Sequence, residues 1–370
     1  MVIKMTTKKY FISFLLIFVF ILASCSHGDR FSEGTIIVDP EFTKESDYSI
    51  VALADGELIY QTLEDPTRFF SLDVRQNSEV ELGQVSNFIL NGYSLVKDSG
   101  KLYTYIAVSE LGAIKNVLYE IDYTNDTIRP LLSNQNSSPI VYLYKVPTGI
   151  LQLKTPLAGS STTLFELYNL QTGASTEVLV APENEIYIIA SIDDDSLFVL
   201  TAREMPDQIY KFTIDEYDLE TYELINTIEL SEIHSYLSNT RIGKMEVFGD
   251  YIYLLNYSNE GIICKLSDNS VIPVLERTNL ECVRNQQQKL HNSEILFYIR
   301  NTNECFLFDF NTGETKEIEP KIEKDYVISS IFPDGDDILL QGKKPSNNKL
   351  IEEKTIIYFY AYSNFITSET

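Results

Sequence analysis

The chain has 370 residues, 29 Lys and Arg against 54 Asp and Glu, and a formal net charge of -25. That field repels nucleic acid and anionic membrane surfaces, whose recognition needs clustered Lys and Arg. With 44% hydrophobic residues, 24 Tyr, 20 Phe and only 16 Gly and 12 Pro, the sequence is not low-complexity, and its length suits two average domains or one large all-β domain.

Residues 1–24 read as an address and not as part of the fold. Lys4, Lys8 and Lys9 precede the apolar run FISFLLIFVFILA, residues 11–23. The run is shorter than the roughly 20 residues a spanning helix needs and has the length of a secretory signal core. It leads into Leu22-Ala23-Ser24-Cys25. This stretch resembles the lipobox of bacterial lipoproteins. The resemblance implies cleavage before Cys25, lipid on the Cys25 thiol, a tether over 25–33 and attachment to an envelope membrane. Ser26 in place of Asp implies, by the same resemblance, the outer membrane, with the leaflet open. An uncleaved anchor and a plain secretory signal are the other readings of this segment.

From residue 34 onward one unit recurs. A strand, a tight turn and a second strand are read at 69–82, 117–132, 164–180, 210–230, 262–276 and 306–320. FLFDFNTGETKEI, residues 306–318, shows the pattern: aromatic residues in alternation, an Asn-Thr-Gly turn, then Thr315 to Ile318. The first strands of these units end near Asp73, Asp122, Asn169, Asp218, Ser267 and Asp309, in steps of 49, 47, 49, 49 and 42 residues. Two further strand-like runs precede each unit, with turns read at Asp55-Gly56, Asp193-Asp194-Asp195, Gly249-Asp250 and near Asn292-Ser293. Four strands per 40–50 residues predict an all-β fold, a β-propeller. A last unit from Tyr326 has three strands. The spacing therefore predicts seven four-stranded blades, with six as the alternative, in one domain over 34–370. The ring is expected to close by the N-terminal strand 34–40, because an uncovered last edge leaves backbone groups unpaired. Only SEIHSYLSNT, residues 231–240, has room for a helical turn. Lipobox and repeats together resemble propeller lipoproteins of Bacteroidota-type bacteria, including the TolB-like and six-bladed groups. The resemblance implies an envelope-attached scaffold or binding protein.

Chemistry is sparse. His27, His234 and His291 have no second ligand at zinc spacing. No G-x-S-x-G and no Gly-rich phosphate loop is present. No catalytic residue, metal or cofactor is expected. Asp193–Asp195 and Asp334-Gly335-Asp336-Asp337 read as turns in preference to calcium loops. Cys264, Cys282 and Cys305 read as buried thiols. Tyr251, Tyr253 and Tyr257 read as packing between blades in preference to glycan platforms. Function is expected on the face carrying the connections between second and third strands, SELGAIK (109–115) and 343–353 among them. There Lys343, Lys344 and Lys349 form a basic cluster able to meet an anionic ligand. The reading is a lipid-anchored envelope propeller, a non-catalytic binding or scaffold protein. Its membrane contact is the lipid on Cys25, its partner an envelope protein or glycan, and nucleic acid is excluded. The alternatives are a propeller enzyme with an axial metal or acid pair acting on a sugar or lactone, and a purely structural subunit.

Overall fold

The computed structural model describes residues 36–38, 40–46, 48–134, 141–154, 162–205, 210–231, 233–239, 241–256, 258, 260–268, 270–271, 277–278, 280–283, 294–309, 312, 314–334, 337–344 and 355–361. Residues 1–35, with Cys25, Ser26 and His27, lie outside them, as do His291 and Lys349. The chain is a seven-bladed β-propeller. The inner strands of blades 1 to 7 are Tyr48–Ala54, Phe88–Asp98, Val141–Val146, Glu185–Asp193, Ile242–Phe248, Leu280–Val283 and Val327–Asp334. Each is followed by antiparallel strands stepping outward.

Period-two alternation explains why the blades stack. Successive side chains of a strand point to opposite faces, and in a middle strand both faces are covered by neighbouring blades. In blade 1, Leu58 and Tyr60 join Leu339 and Phe359 of blade 7, while Ile59 between them joins Leu102 and Ile121 of blade 2. In blade 6, Phe306 and Phe308 face blade 5, and Cys305 and Leu307 face blade 7. Among the described residues each of the seven blade interfaces holds its own hydrophobic cluster. The core is thus a ring of seven wedges. Tyr253 follows the packing reading: it is buried, lies edge-on to Phe297 at 5.8 Å, and its hydroxyl donates to Leu280 O of blade 6. Tyr257 lies outside the described residues. Cys264 and Cys305 are buried free thiols, and burial pushes Cys264 up to about 12.

Hydrogen bonds between blades complete the ring. Ser94 Oγ accepts from Leu143 N (2.8 Å), Tyr144 Oη from Ala190 N (2.9 Å) and Ser191 Oγ from Val247 N (3.0 Å). Ile328 N donates to Thr302 O (2.9 Å), Gly56 N donates to Asp334 Oδ2 (2.9 Å), and Tyr123 Oη donates to Asp55 Oδ2 (2.6 Å). With Tyr253 to Leu280, every junction from blade 1 round to blade 7 and back carries one.

Closure does come from an N-terminal strand, but not from 34–40. Strand β1 (Ile36–Val38) lies parallel to Thr315–Pro320 as a fifth strand on blade 6. Strand β2 (Phe42–Ser46) pairs antiparallel with Thr355–Ala361 and is the outer strand of blade 7. The physical reason is direction. The open edge of blade 7 takes an antiparallel partner, and the short link after β1 lets the chain cross from one blade rim to the next before pairing. The helical turn expected at 231–240 is α1 (His234–Asn239), packed on the wedge between blades 4 and 5 through Leu237 and Tyr236, whose hydroxyl donates to Leu254 O and Glu260 O of blade 5. Among the described residues no helix is long and apolar enough to cross a membrane.

Candidate functional site

The alternation of strand directions creates two faces. The turns after the first and third strands lie on one, here the turn face. The connections between second and third strands, and between blades, lie on the other, the loop face.

The turn face is largely committed to structure. Asp193 Oδ2 accepts from Gly249 N (2.9 Å) in the first turn of the next blade. Asp334 accepts from Gly56 and also meets Lys97 Nζ at 3.4 Å. The acidic turns therefore tie blade to blade. Gly335 and Asp336 lie outside the described residues. A second acidic pair, Glu120 and Asp122, is buried in blade 2 between Lys101 (3.2 and 3.3 Å), Arg129 (2.7 Å to Glu120) and Tyr103 (3.2 Å to Glu120). Burial alone would raise the Asp122 carboxyl, but hydrogen bonds from Asn125 and Thr124 and the Lys101 ammonium outweigh it and hold it at about 2. A depressed carboxyl stabilises the fold above its unfolded value, about 3.9, and that contribution is lost as the pH falls towards the folded value. Asp122→Asn is expected to lower the melting temperature at neutral pH and to flatten its dependence between pH 4 and pH 2. Thermal melts by circular dichroism across that window check this; an unchanged slope assigns the acid transition to other groups. Among the described residues no three His, Cys, Asp or Glu side chains are grouped to hold a metal ion.

The loop face is different. Blade 2 departs from the blades beside it: its second and third strands, Lys101–Glu110 and Ala113–Asp122, each have ten residues, against six for the second strand in blades 1, 3 and 5, with blade 4 nearest at nine in each. Four extra residues carry the hairpin about 13 Å further. The expected loop 109–115 is in fact this hairpin's tip, because Leu111 and Gly112 both take positive φ (51° and 81°) and turn the chain in two residues. A left-handed aliphatic residue is a real outlier, and Leu111 is fully exposed. Ile114 beside it is 58% exposed, and Ile89, Leu90 and Leu63 are exposed on the same face of blades 1 and 2. Val180, Ile186, Met205 and Tyr210 continue the pattern on blades 3 and 4. Lys343 and Lys344 reach the loop face on blade 7, the first half-buried at a strand end, the second exposed and paired with Asp325 at 3.4 Å. The structure thus brings two of the three lysines together and gives one an acidic partner. His234 is half-buried, its ring 5.6 Å from Phe212.

A cavity of about 320 Å³ lies on the axis, in the half nearer the turn face. The inner strands of blades 1, 2, 3, 4, 5 and 7 line it. Its walls are mainly apolar, with Lys97, Lys145, Ser191 and Glu246 among them. Burial lowers the Lys97 ammonium, and the Asp334 carboxylate opposes that shift. Lys145 Nζ pairs with Asp98 at 3.1 Å and donates to Val146 O at 3.0 Å. None of these axial groups was singled out by sequence reading. The usable signal was a Lys in the inner strand of each of two consecutive blades, visible only once the inner strands are known.

No protein-family model matches the chain, and a search of curated proteins finds no relative. Solved structures do align. BamB from Moraxella catarrhalis matches at 9% identity with a TM-score of 0.45, over 84% of this chain and 81% of BamB. Penicillium chrysogenum alpha-L-arabinanase, solved with arabinobiose, matches at 11% identity and 0.45, over 76% of this chain and 97% of the enzyme. The computationally designed protein Ika8 matches at 7% identity and 0.45, over 88% and 99%. A natural protein, an enzyme and a design share this TM-score, so the likeness carries no activity.

Proposed function

We propose that the protein is a lipid-anchored cell-envelope propeller that acts as a non-catalytic binding or scaffold protein and grips a protein partner on its loop face. The observation that carries this reading is the projecting blade 2 hairpin with Leu111 and Ile114 at its tip. A left-handed leucine wholly in water contributes nothing to the fold and costs about 1 kcal/mol or more in backbone strain. Among the described residues nine of the twelve exposed large apolar side chains sit on the loop face, and a gathering of this kind marks a contact surface. The chain as a whole carries a formal net charge of -25, so the fitting partner has an apolar cleft with a basic rim. The alternative of an axial acid pair is weakened because, among the described residues, Glu246 is the one carboxylate lining the axial cavity.

Two measurements on cells test the reading. Metabolic labelling with a fatty acid should mark the wild-type chain and not Cys25→Ala; label retained in the variant removes the anchor. A photo-crosslinking residue at 111 should yield one discrete adduct in envelopes, lost on Ile114→Glu, with none from the same residue at 172 on the turn face. Adducts at 344 and none at 111 move the contact to the Lys343, Lys344 and Lys349 cluster.

A further inference from the structure

The charges of the axial cavity are separated across it. Lys97 and Lys145 enter from the adjacent inner strands of blades 2 and 3, and Glu246 enters from blade 5, beyond blade 4. The wall contributed by blades 1 and 7 is apolar, with Val51 and Phe332. We propose that this cavity binds a small zwitterion with an apolar side chain, of the free amino acid class. Its carboxylate meets Lys97 and Lys145, its ammonium meets Glu246, and its side chain lies on Val51, Ile192 and Phe332. The inference rests on the cavity alone, and on neither the lipid anchor nor the loop-face contact.

Size fits the class. About 320 Å³ is the liquid volume of about ten waters, at the lower end of ligand sites. The lysines are equipped to take a carboxylate. An ammonium has three N–H groups. Lys97 Nζ has Pro333 O at 3.2 Å and Asp334 at 3.4 Å, and Lys145 Nζ has Val146 O and Asp98. Among the described residues that accounts for two N–H groups on each and leaves a third to a ligand. The two side chains keep 20% and 28% of their surface exposed, so solvent reaches them. Asp98 and Asp334 end their inner strands and do not line the cavity. They hold the lysines in place without filling the site. In a site with mainly apolar walls, charges placed at two ends fix the orientation of a ligand that carries both signs, and each unmatched end costs affinity.

Isothermal titration calorimetry on the full chain in detergent tests this with three probes of one shape. L-leucine carries both charges, 4-methylpentanoate lacks the ammonium, and isoamylamine lacks the carboxylate. Leucine is expected to bind, and each one-ended probe at least tenfold more weakly. Lys145→Met should weaken leucine and 4-methylpentanoate about tenfold and leave isoamylamine unchanged. Glu246→Gln should weaken leucine and isoamylamine and leave 4-methylpentanoate unchanged. Asp98→Asn, which removes the carboxylate competing for Lys145, should tighten leucine, an effect that loss of structure cannot produce. Circular dichroism melts confirm that each variant folds. The proposal is overturned if leucine, L-methionine and L-phenylalanine all give no binding heat, if the three probes bind alike, or if the variants weaken all three probes equally.

Discussion

Deleting Phe42–Ser46 is expected to leave the propeller largely unfolded, while deleting Ile36–Val38 costs little. Strand β2 pairs along five residues with Thr355–Ala361, and each net backbone hydrogen bond is worth about 1 kcal/mol. Ile356 to Tyr360 are all buried, so removing their outer neighbour also admits water to the cluster shared with blade 1. A loss of about 5 kcal/mol or more matches the whole stability of an ordinary domain, about 5–15 kcal/mol. Strand β1 adds only three parallel pairs to an already complete blade, for a cost of about 1–2 kcal/mol. Proline at both Thr43 and Lys44 should act like the longer deletion, because one of two consecutive N–H groups must face the ladder. Urea denaturation followed by circular dichroism ranks the three variants. Equal midpoints for the two deletions would mean that the ring does not depend on β2.

That contrast shows what was legible in the sequence. The third strands end at Asp73, Asp122, Asn169, Asp218, Lys265 and Asp309, within two residues of the positions read from alternation and turn chemistry. These signals are local: a Phe-x-Phe-x-Phe strand and an Asn or Asp turn declare themselves within ten residues. The need for a closing strand was legible too, since the last unit read has three strands of its own. Which segment supplied it was not, because Ile36–Val38 and Phe42–Ser46 are both short strands and only the geometry of two neighbouring rims distinguishes them. The loop reading of 109–115 failed on turn chemistry. Leu at a left-handed position is disfavoured, and its presence could be read from neither propensity nor period. The axial lysines escaped because Lys97 and Lys145 look like ordinary strand-end charges until seven inner strands converge on one axis.

Asp334→Ala is expected to cost about 3 kcal/mol. The carboxylate joins three blades: it ends the inner strand of blade 7, accepts from Gly56 N in the first turn of blade 1, and pairs with Lys97 of blade 2. It is buried, and Lys97 keeps only a fifth of its side chain exposed. Removing one member of a buried pair costs about 3–5 kcal/mol because the other charge is left without its partner; the residual exposure of Lys97 places this case at the lower end. Asp334→Asn keeps an acceptor for Gly56 and loses only the charge, so it should fall between wild type and alanine. Adding Lys97→Met to Asp334→Asn should recover part of the loss, since no unpaired ammonium then remains, and a coupling of this kind marks direct contact. The comparison is Asp73→Ala, whose carboxylate caps Arg75 N and Gln76 N within the outer turn of one blade and is worth about 1 kcal/mol. Urea midpoints for the four variants, at low salt and at 1 M salt, make the test. The Asp334 effect should persist in salt, as a buried pair is poorly screened. If Asp334→Ala proves no worse than Asp73→Ala, the junction of blades 7, 1 and 2 is held by its apolar wedge alone, through Leu53, Leu58, Leu339 and Phe359, and the carboxylate is a turn residue like the rest.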